Sequence, residues 1–371
     1  MHSNDWENKK IVEIIVENKK SIIRSKGNNN GIYPFFVSGF NIKNIDSHLI
    51  DGDNIFLPTG GNFFVHYFKG KAAYSTDTWS IKTIENVDIK YLYYFLILNQ
   101  DMIGKKLFKG ATIKHLQKDD FKNLRVPVPL FSEQQRIVKI LDDVFDNIAK
   151  AKENAEKNLA NSKELFESYL NNVFTRQNEK EKSVLLEDIC DIQSKLIDPR
   201  KLEFIDLIHV GAGNIKSRSG VLIDLKTAKE ERLISGKFQF DNSMILYSKI
   251  RPYLMKVARP DFNGLCSADM YPLAPRDNIL KDYLYYLLLT SNFTEYAIRG
   301  SARAGMPKVN REHLFAYALS IPSIDEQKSI VAKLDTLSTE TKKLQSIYKQ
   351  KIADLEELKK SVLAKAFSGE L

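Results

Sequence analysis

Cysteine is scarce in this sequence of 371 residues, which contains two, Cys190 and Cys266. Two isolated cysteines exclude a disulfide framework and a Cys-x-x-Cys metal pair. Long apolar runs are missing as well. The longest, residues 91–98 and 283–289, are far too short to cross a bilayer and are expected to be buried helix or strand. The first ten residues lack the apolar core of a signal peptide. A reduced, cytoplasmic protein is therefore expected.

Catalytic motifs are also missing. The sequence has no Gly-x-x-x-x-Gly-Lys phosphate loop, and Gly211-Ala212-Gly213 lacks the third glycine and the helix of a dinucleotide site. It has no Asp-Pro-Pro-Tyr or Asn-Pro-Pro-Tyr segment of the kind that amino-methyltransferases use. The six histidines are scattered, without metal-ligand spacing. The paired carboxylates Asp142 and Asp143 are expected to be solvated. We therefore predict a non-catalytic chain that binds no metal and no cofactor of its own.

The sequence instead repeats itself at an offset of about half its length. Residues 129–142 (PLFSEQQRIVKILD) return 193 positions later as residues 322–335 (PSIDEQKSIVAKLD). Two further segments also return: 91–94 (YLYY) as 283–286 (YLYY), and 75–79 (STDTW) as 267–271 (SADMY). A period this long indicates duplicated domains, because solenoid repeats are only 20 to 50 residues long.

A long stretch without proline or glycine follows each Pro-x-x-x-Glu-Gln segment. Apolar or small residues recur there at steps of three and four, as in Ile137, Leu141 and Val144, which predicts a helix. About 43 residues of helix span roughly 65 Å. Ser132 and Asp325 are predicted to cap the two helices at their starts, and Gly369 to end the second. Since their apolar stripes match, the helices are predicted to pack as an antiparallel coiled coil.

The predicted fold class is α+β: two duplicated mixed α/β domains joined by the two long helices, with pseudo-twofold symmetry. Strands are predicted at residues 54–57, 63–68 and 72–74 of the first domain, and at 207–210, 244–247 and 254–257 of the second. The predicted segments are a first globular domain (1–128), a first long helix (129–178), a linker with the second globular domain (179–320), and a second long helix (321–371).

The net charge of +8 is confined to the two globular parts and the short linker. Residues 129–178 contain 7 Lys/Arg and 8 Asp/Glu, and residues 321–371 contain 9 and 8, so the helical segments together are neutral. A basic excess on two globular domains suggests two polyanion-binding surfaces. A generic basic surface explains the charge equally well.

The chain resembles the specificity subunits of type I restriction-modification systems. Four features carry the resemblance: the duplicated Pro-x-x-x-Glu-Gln helices, the C-terminal sequence SVLAKAFSGEL, the segment from Met244 to Leu254 with Cys266–Asp269, and the segment 305–310. In the first domain Phe56–Gly61 stands where the second has Tyr247–Pro252, so a Lys and an Arg are missing there. Base-reading roles therefore do not transfer between the domains.

The resemblance implies that each domain recognises one half of a bipartite, asymmetric DNA sequence. The coiled coil would set the spacing between the halves and dock two modification subunits. S-adenosylmethionine, ATP and Mg would be bound by partner subunits, which include restriction and translocase subunits. Phage defence and DNA methylation would be the context, with no membrane involved.

Basic, amide and aromatic loop residues are the candidate DNA contacts, because such side chains bind phosphates and base edges. In the first domain they are Asn28, Asn29, Asn30, Asn62, Lys71, Lys109 and Lys114. In the second they are Asn214, Lys216, Arg218, Lys249, Arg251, Tyr253, Lys308 and Asn310. Solvated loop residues are the alternative interpretation for about half of them.

Three alternative functions remain at this point. The chain could be a protein-interaction scaffold whose long helices are the functional part, although the basic excess avoids those helices. It could serve a related DNA-modification system without restriction. It could also be a nuclease or methyltransferase fused to recognition domains, which the missing motifs argue against.

Overall fold

The structure is a computed structural model that describes residues 6–26, 31–178, 183–301 and 307–371. The chain divides into two compact units. Unit 1 comprises residues 1–156 with 349–371, and unit 2 comprises residues 157–348. Each unit therefore contains one globular domain together with part of both long helices.

Unit 1 is built from short strands and four short helices, within the described residues. The strands are β1 (Glu7–Lys10), β2 (Ile15–Glu17), β3 (Tyr33–Phe36), β4 (Lys43–Ile45), β5 (Asp53–Pro58), β6 (His66–Lys69), β7 (Ala73–Tyr74), β8 (Thr78–Thr83), β9 (Phe108–Lys109), β10 (His115–Leu116) and β11 (Arg125–Val128). The helices are α1 (Ile11–Ile14), α2 (Ile89–Leu98), α3 (Gln100–Lys106) and α4 (Lys118–Lys122).

Unit 2 repeats this series of elements. Its strands are β12 (Val184–Leu185), β13 (Cys190–Ile192), β14 (Leu196–Ile197), β15 (Ile208–Val210), β16 (Lys226–Thr227), β17 (Lys237–Phe240), β18 (Ile245–Ser248), β19 (Val257–Ala258), β20 (Gly264–Cys266), β21 (Met270–Pro275) and β22 (Ala318–Leu319). The long helix α5 (Phe131–Asn178) precedes them, and the helices α6 (Lys281–Leu287), α7 (Ser291–Arg299), α8 (Arg311–Phe315) and α9 (Ile324–Ser368) complete the chain.

The sheets of the two units share one topology. The strand order β2-β8-β5-β6 in unit 1 matches β13-β21-β18-β19 in unit 2, and the pairs β1-β11 and β12-β22 also match. The sheet β4-β3-β7 matches β16-β15-β20, where unit 2 adds β17 and β14 at the edge. In both, the central pair is parallel, β3 with β7 and β15 with β20. The predicted duplication and α+β class are confirmed at the level of strand order.

The tyrosine-rich segments are buried helices, as one of the two predicted alternatives required. In α2, the Asp88 carboxylate accepts hydrogen bonds from the backbone N–H groups of Lys90 and Tyr91 at 2.8 and 3.2 Å, which caps the first turn. Tyr91 and Tyr283 are fully buried, each in the main core of its own unit. These cores also include residues of the long helices, so helix and domain form one folded unit.

The long helices are antiparallel where unit 1 contains both of them. The α5 helix has 48 residues and α9 has 45. Lys152 of α5 forms an ion pair with Glu356 of α9 at 2.6 Å, and the Lys359 amino group lies 4.8 Å from the ring centre of Phe145. Closer to the start of α5, Arg136 donates to the Leu371 carbonyl at 2.6 Å. Residue numbers rise along one helix as they fall along the other, as predicted.

A fully buried glutamine fixes the start of each long helix to its own domain. The Gln134 side chain accepts from the backbone N–H of Asp88 at 2.8 Å and donates to the carbonyls of Pro129 (2.8 Å) and Asn86 (3.2 Å). In unit 2, Gln327 accepts from the N–H of Leu280 at 2.8 Å and donates to the carbonyls of Pro322 and Asn278. The repeated Pro-x-x-x-Glu-Gln sequence therefore encodes a three-bond anchor.

An aspartate two turns further on forms a second anchor. Asp142 accepts from the Tyr94 hydroxyl at 2.6 Å and pairs with Lys90 at 2.6 Å. Asp335 accepts from the Tyr286 hydroxyl at 2.6 Å and from Arg259 at 2.6 Å. The expectation that Asp142 is solvated is therefore wrong, because its carboxylate lies against α2. Asp143 is exposed, as expected.

Several boundaries differ from those predicted. The long helices begin at Phe131 and Ile324, so Ser132 and Asp325 lie within the first turn and do not cap it. In the second helix the residue before the start does so, since the Ser323 hydroxyl accepts from the N–H of Glu326 at 3.4 Å. Gly369 has a φ of +78° directly after α9, as a helix-ending glycine requires.

The strand predictions are partly confirmed. Strands β5, β7, β15 and β18 cover residues 54–57, 72–74, 207–210 and 244–247 within one residue at either end, and β6 covers only the end of 63–68. The predicted strand 254–257 is wrong, because Pro252–Leu254 form a 3-10 turn and Met255 adopts a left-handed conformation. The division at 128, 178 and 320 stays a prediction.

The described residues contain neither a membrane-spanning helix nor a group of metal-ligand side chains. None of their helices combines the length and apolarity that a membrane span needs. No three of their His, Cys, Asp or Glu side chains are grouped as a metal site would be. Both cysteines are fully buried, and burial raises the pKa of each thiol to about 12.

Candidate nucleic-acid interface

The loop that follows β18 is held by three backbone hydrogen bonds. Lys249 N–H donates to the Asp269 carbonyl at 3.1 Å, and Arg251 N–H donates to the Pro307 carbonyl at 2.8 Å. Val309 N–H donates back to the Lys249 carbonyl at 2.8 Å, so residues 249–251 and 307–309 form a short antiparallel bridge. This bridge brings Lys308 beside Lys249 and Arg251, from which it is more than fifty positions away in sequence.

Arg251 is presented by an unusual backbone conformation. Its φ of 49° and ψ of 61° lie in the left-handed region, where a non-glycine residue costs energy. Pro252 then starts a 3-10 turn that contains Tyr253, which is 49% exposed. Among the described residues the guanidinium of Arg251 has no hydrogen-bond or ion-pair partner, so its five donors are available to a ligand.

Lys249 and Lys308 add positive charge to the same bridge. The Lys249 amino group lies 5.0 Å from the ring centre of Tyr271, and the residue is 9% exposed. Burial, and secondarily the charge of Lys308, lower the pKa of Lys249. Lys308 is 4.0 Å from the carboxylate of Asp269. Two cations face a single carboxylate here, so an approaching anion would be stabilised.

Other candidates of unit 2 have side chains already used by the fold. Asn310 caps α8, since its side-chain oxygen accepts from the N–H of His313 at 2.7 Å. Arg218 pairs with Glu167 of α5 at 3.0 Å, which directs its guanidinium toward the long helix. Lys216 is exposed on the same segment as Arg218, residues 211–224, which we call the arm. The structure thus brings together Lys249, Arg251, Tyr253, Lys308 and Asn310, but not the side chain of Arg218.

Asn214 holds this arm closed. Its side-chain oxygen accepts from Gly211 N–H at 2.8 Å, and its NH₂ donates to the carbonyls of Ile223 (3.1 Å) and Asp224 (3.2 Å). All three of these side-chain bonds are to backbone groups of the same domain.

We expect Asn214→Ala to lower the free energy of unfolding by about 1–3 kcal/mol, because it leaves backbone groups without partners. Urea unfolding measures the change, and Lys216→Ala, on the same arm but exposed, should change it by less than about 0.5 kcal/mol. Equal stabilities of the two variants would contradict this role.

Unit 1 contains the same bridge with different side chains. Thr59 N–H donates to the Asp77 carbonyl at 3.0 Å, Gly61 N–H to the Lys114 carbonyl at 2.9 Å, and Leu116 N–H to the Thr59 carbonyl at 3.0 Å. Thr59 and Gly61 therefore occupy the positions of Lys249 and Arg251. This shifts the sequence alignment of Phe56–Gly61 with Tyr247–Pro252 by one residue.

The other candidates of unit 1 are dispersed. Asn62 and Lys114 are exposed beside this bridge. Lys109 pairs with Asp120 at 3.0 Å. Lys71 follows β6, whose Lys69 pairs with Asp53, so it lies at the end of β5 away from Thr59. Asn28, Asn29 and Asn30 lie outside the described residues.

Sequence analysis missed the residues that support these loops. The carbonyls of Asp77 and Asp269 accept the backbone hydrogen bonds at the start of the two loops. The ring of Tyr271 packs against the Lys249 amino group. The signal was present, since both aspartates and Tyr271 belong to the repeated segments 75–79 and 267–271. A repeat kept at a strand start indicates a supporting function.

One protein family and two known proteins match this chain over most of its length. The family model described as "Type I restriction modification DNA specificity domain" matches residues 3–158 and 178–355. The type I restriction enzyme EcoDI specificity subunit of Escherichia coli is 28% identical over 400 residues, spanning 99% of this chain and 89% of that protein. The MjaVIII specificity subunit of Methanocaldococcus jannaschii is 23% identical, spanning 99% and 93%.

Solved structures match the fold. A chain from a study of complex assembly and conformational transition of the type I R-M system superposes with a TM-score of 0.76 at 16% identity, covering 99% of this chain and 98% of that one. The HsdS subunit of Thermoanaerobacter tengcongensis superposes with a TM-score of 0.61 at 17% identity, covering 99% and 97%.

Proposed function

We propose that this chain, which belongs to the family of type I restriction modification DNA specificity domains, selects the DNA sequence on which a type I restriction-modification complex acts. Each of its two globular domains recognises one half of a bipartite, asymmetric site. The relatives from Escherichia coli and Methanocaldococcus jannaschii, both specificity subunits, support this assignment over the full length of the chain.

One observation carries the proposal: the two units hold different side chains in the same hydrogen-bonded bridge. Backbone groups alone form the bridge, so its geometry does not depend on the side chains at 59–61 or 249–251. Unit 2 presents Lys249 and Arg251 there, whereas unit 1 presents Thr59 and Gly61. Domains that share a frame and differ in the presented donors are suited to different half-sequences.

Within unit 2, Arg251 and Tyr253 are proposed to contact base edges, since arginine forms a bidentate contact with guanine in the major groove. Lys216, Lys249 and Lys308 are proposed to contact phosphates, which fix the register of the protein on the duplex. Asn214, Arg218 and Asn310 are proposed to support these loops. In unit 1, Asn62 and Lys114 are the proposed contacts beside the bridge, and Asn28–Asn30, Lys71 and Lys109 stay predictions.

The long helices are proposed to set the spacing of the two half-sites and to bind two modification subunits. Their neutral charge keeps them from competing for DNA phosphates. Methyl transfer, with S-adenosylmethionine, and translocation and cleavage, with ATP and Mg, are proposed to reside on partner subunits, and no catalytic step is assigned to this chain.

A salt titration tests the DNA-binding function. The purified chain is titrated with labelled duplex in filter-binding assays from 50 to 200 mM salt, and we expect log affinity to fall linearly with log salt because phosphate contacts release counterions. Affinity that does not depend on salt would favour the scaffold function instead. Mapping of methylated adenines, with the modification subunits present, should then give a single bipartite motif.

A further inference from the structure

A lysine lies over an aromatic ring at the same place in both units. The second residue of β21 is Tyr271, and its ring lies beneath the Lys249 amino group at 5.0 Å. The second residue of β8 is Trp79, and the Lys118 amino group lies 4.5 Å from its ring centre. Trp79 pairs with Leu57 of β5 as Tyr271 pairs with Tyr247 of β18, so the two rings are equivalent.

The two lysines come from different parts of the chain. Lys249 directly follows β18, but the equivalent position in unit 1 is Thr59, which cannot supply a charge. Lys118 instead begins α4, which follows the second strand of the bridge. The positive charge over the ring of unit 1 is therefore provided by the first residue of a helix, at the position where α8 of unit 2 begins with Arg311.

Lys118 lies on a polar cleft of about 440 Å³. Its lining includes Glu17, Lys19, Lys20, Thr59, Trp79 and Lys118. Its one carboxylate, Glu17, is already paired with Lys122 at 2.5 Å and accepts from the Trp79 ring N–H at 2.9 Å. Within the described residues Lys19, Lys20 and Lys118 have no ion-pair partner, so positive charge prevails in the cleft.

The wall of this cleft is fixed by the fold. Asn18 N–H donates to the Ser80 carbonyl at 3.0 Å, and the Asn18 side chain donates to Asn54 at 2.7 Å. The Tyr74 hydroxyl donates to the Lys19 carbonyl at 2.5 Å. Partial burial, together with Lys122 and Lys20, lowers the pKa of Lys118 although Glu17 acts in the opposite direction. A bound anion would relieve this crowding of like charges.

We infer that Lys118 and Lys20 bind a backbone phosphate of the half-site read by unit 1, with Lys118 in the place that Lys249 takes in unit 2. This inference rests on the proposed DNA-binding function. A phosphate suits the cleft better than a base edge, because lysine is a compact point charge without the planar fork that recognises guanine. Thr59 on the cleft rim joins it to the bridge that presents Asn62 and Lys114.

The test compares Lys118→Gln and Lys20→Gln with Lys105→Gln, which removes the same charge from an exposed position of α3. For a phosphate contact, each cleft variant should reduce the slope of log affinity against log salt by about 1. The ratio of wild-type to variant affinity should then change about 3.5-fold between 50 and 200 mM salt, equally for any duplex sequence. The Lys105 variant should keep the wild-type slope.

Three results would overturn the inference: a cleft variant that behaves like the Lys105 variant, an unchanged slope with altered preference at one base pair, or tight binding of inorganic phosphate alone. The last is measured with Trp79 fluorescence in Trp6→Phe protein, where Trp79 is the single tryptophan. Duplex DNA should change that emission, whereas inorganic phosphate at matched ionic strength should not. If wild-type protein fails to bind DNA, the proposed function itself fails. If the wild-type protein binds DNA but the cleft variants keep the wild-type salt slope, this inference alone fails.

Discussion

Replacing Gln134 by leucine is expected to lower the free energy of unfolding by about 2–5 kcal/mol. The side chain is fully buried and makes three hydrogen bonds to the backbone, one accepted from Asp88 and two donated to Pro129 and Asn86. Leucine has a similar size but satisfies none of these groups, and each buried unpaired group costs about 1–3 kcal/mol. The free energy of unfolding is expected to fall because buried backbone groups lose their hydrogen-bond partners, and not because a cavity forms.

The neighbouring residue provides a matched control, because Gln135 is of the same type and exposed. Both tryptophans, Trp6 and Trp79, belong to unit 1, so fluorescence during urea unfolding reports the unit that Gln134 anchors. Gln135→Leu should leave the transition within about 0.5 kcal/mol of wild type. Coincident transitions for the two variants would show that the anchor contributes nothing.

The Arg251→Ala variant is expected to lose about 1–3 kcal/mol of DNA-binding free energy, roughly 5- to 150-fold in affinity. The guanidinium is exposed on a loop that backbone hydrogen bonds hold in place, and within the described residues it has no protein partner to release. The loss should be concentrated at one base pair of one half-site. Duplexes selected from a random library by the wild-type chain provide the substrate for the measurement.

Two controls separate base recognition from charge. Arg251→Lys keeps the charge but not the planar fork, so it should recover salt dependence without recovering base preference. Arg276→Ala removes a charge from the end of β21 far from this loop, where Arg276 forms a half-exposed ion pair with Asp191. It should bind like wild type. An Arg251→Ala protein with unchanged affinity and unchanged preference would remove Arg251 from the recognition surface.

Repetition and periodicity made the large features predictable. The long helices follow from steps of three and four without proline or glycine, and the duplicated domains follow from segments that return after 192 or 193 positions. The burial of residues 91–98 and 283–289 is predictable because these apolar runs are too short to cross a bilayer, which leaves the protein core as their expected place. These features can be read from residue types and their spacing alone, without knowing which distant residues are in contact.

The roles of individual side chains were not predictable in the same way. Gln134 and Asp142 look like polar residues of an exposed helix face, yet each is bonded to a segment more than forty positions earlier in the chain. The left-handed conformation of Arg251 depends on the bridge with Pro307, which no local pattern indicates. Asn214 resembles a DNA contact in the sequence, because asparagine amides bind both DNA and the protein's own backbone. Only its partners show which one applies.

The composition of unit 1 has a consequence for the order in which the protein folds during synthesis. Its core contains Leu363 and Ala366 from α9, both buried, together with residues of the first domain. Residues 157–348, which form unit 2, are all translated before these two side chains exist. Nascent chains of multidomain proteins commonly complete their first domain first. Here the first domain cannot complete its core until α9 has been translated, and part of its apolar surface stays uncovered until then. All residues of unit 2 are translated earlier, so its core does not depend on the last residues of the chain.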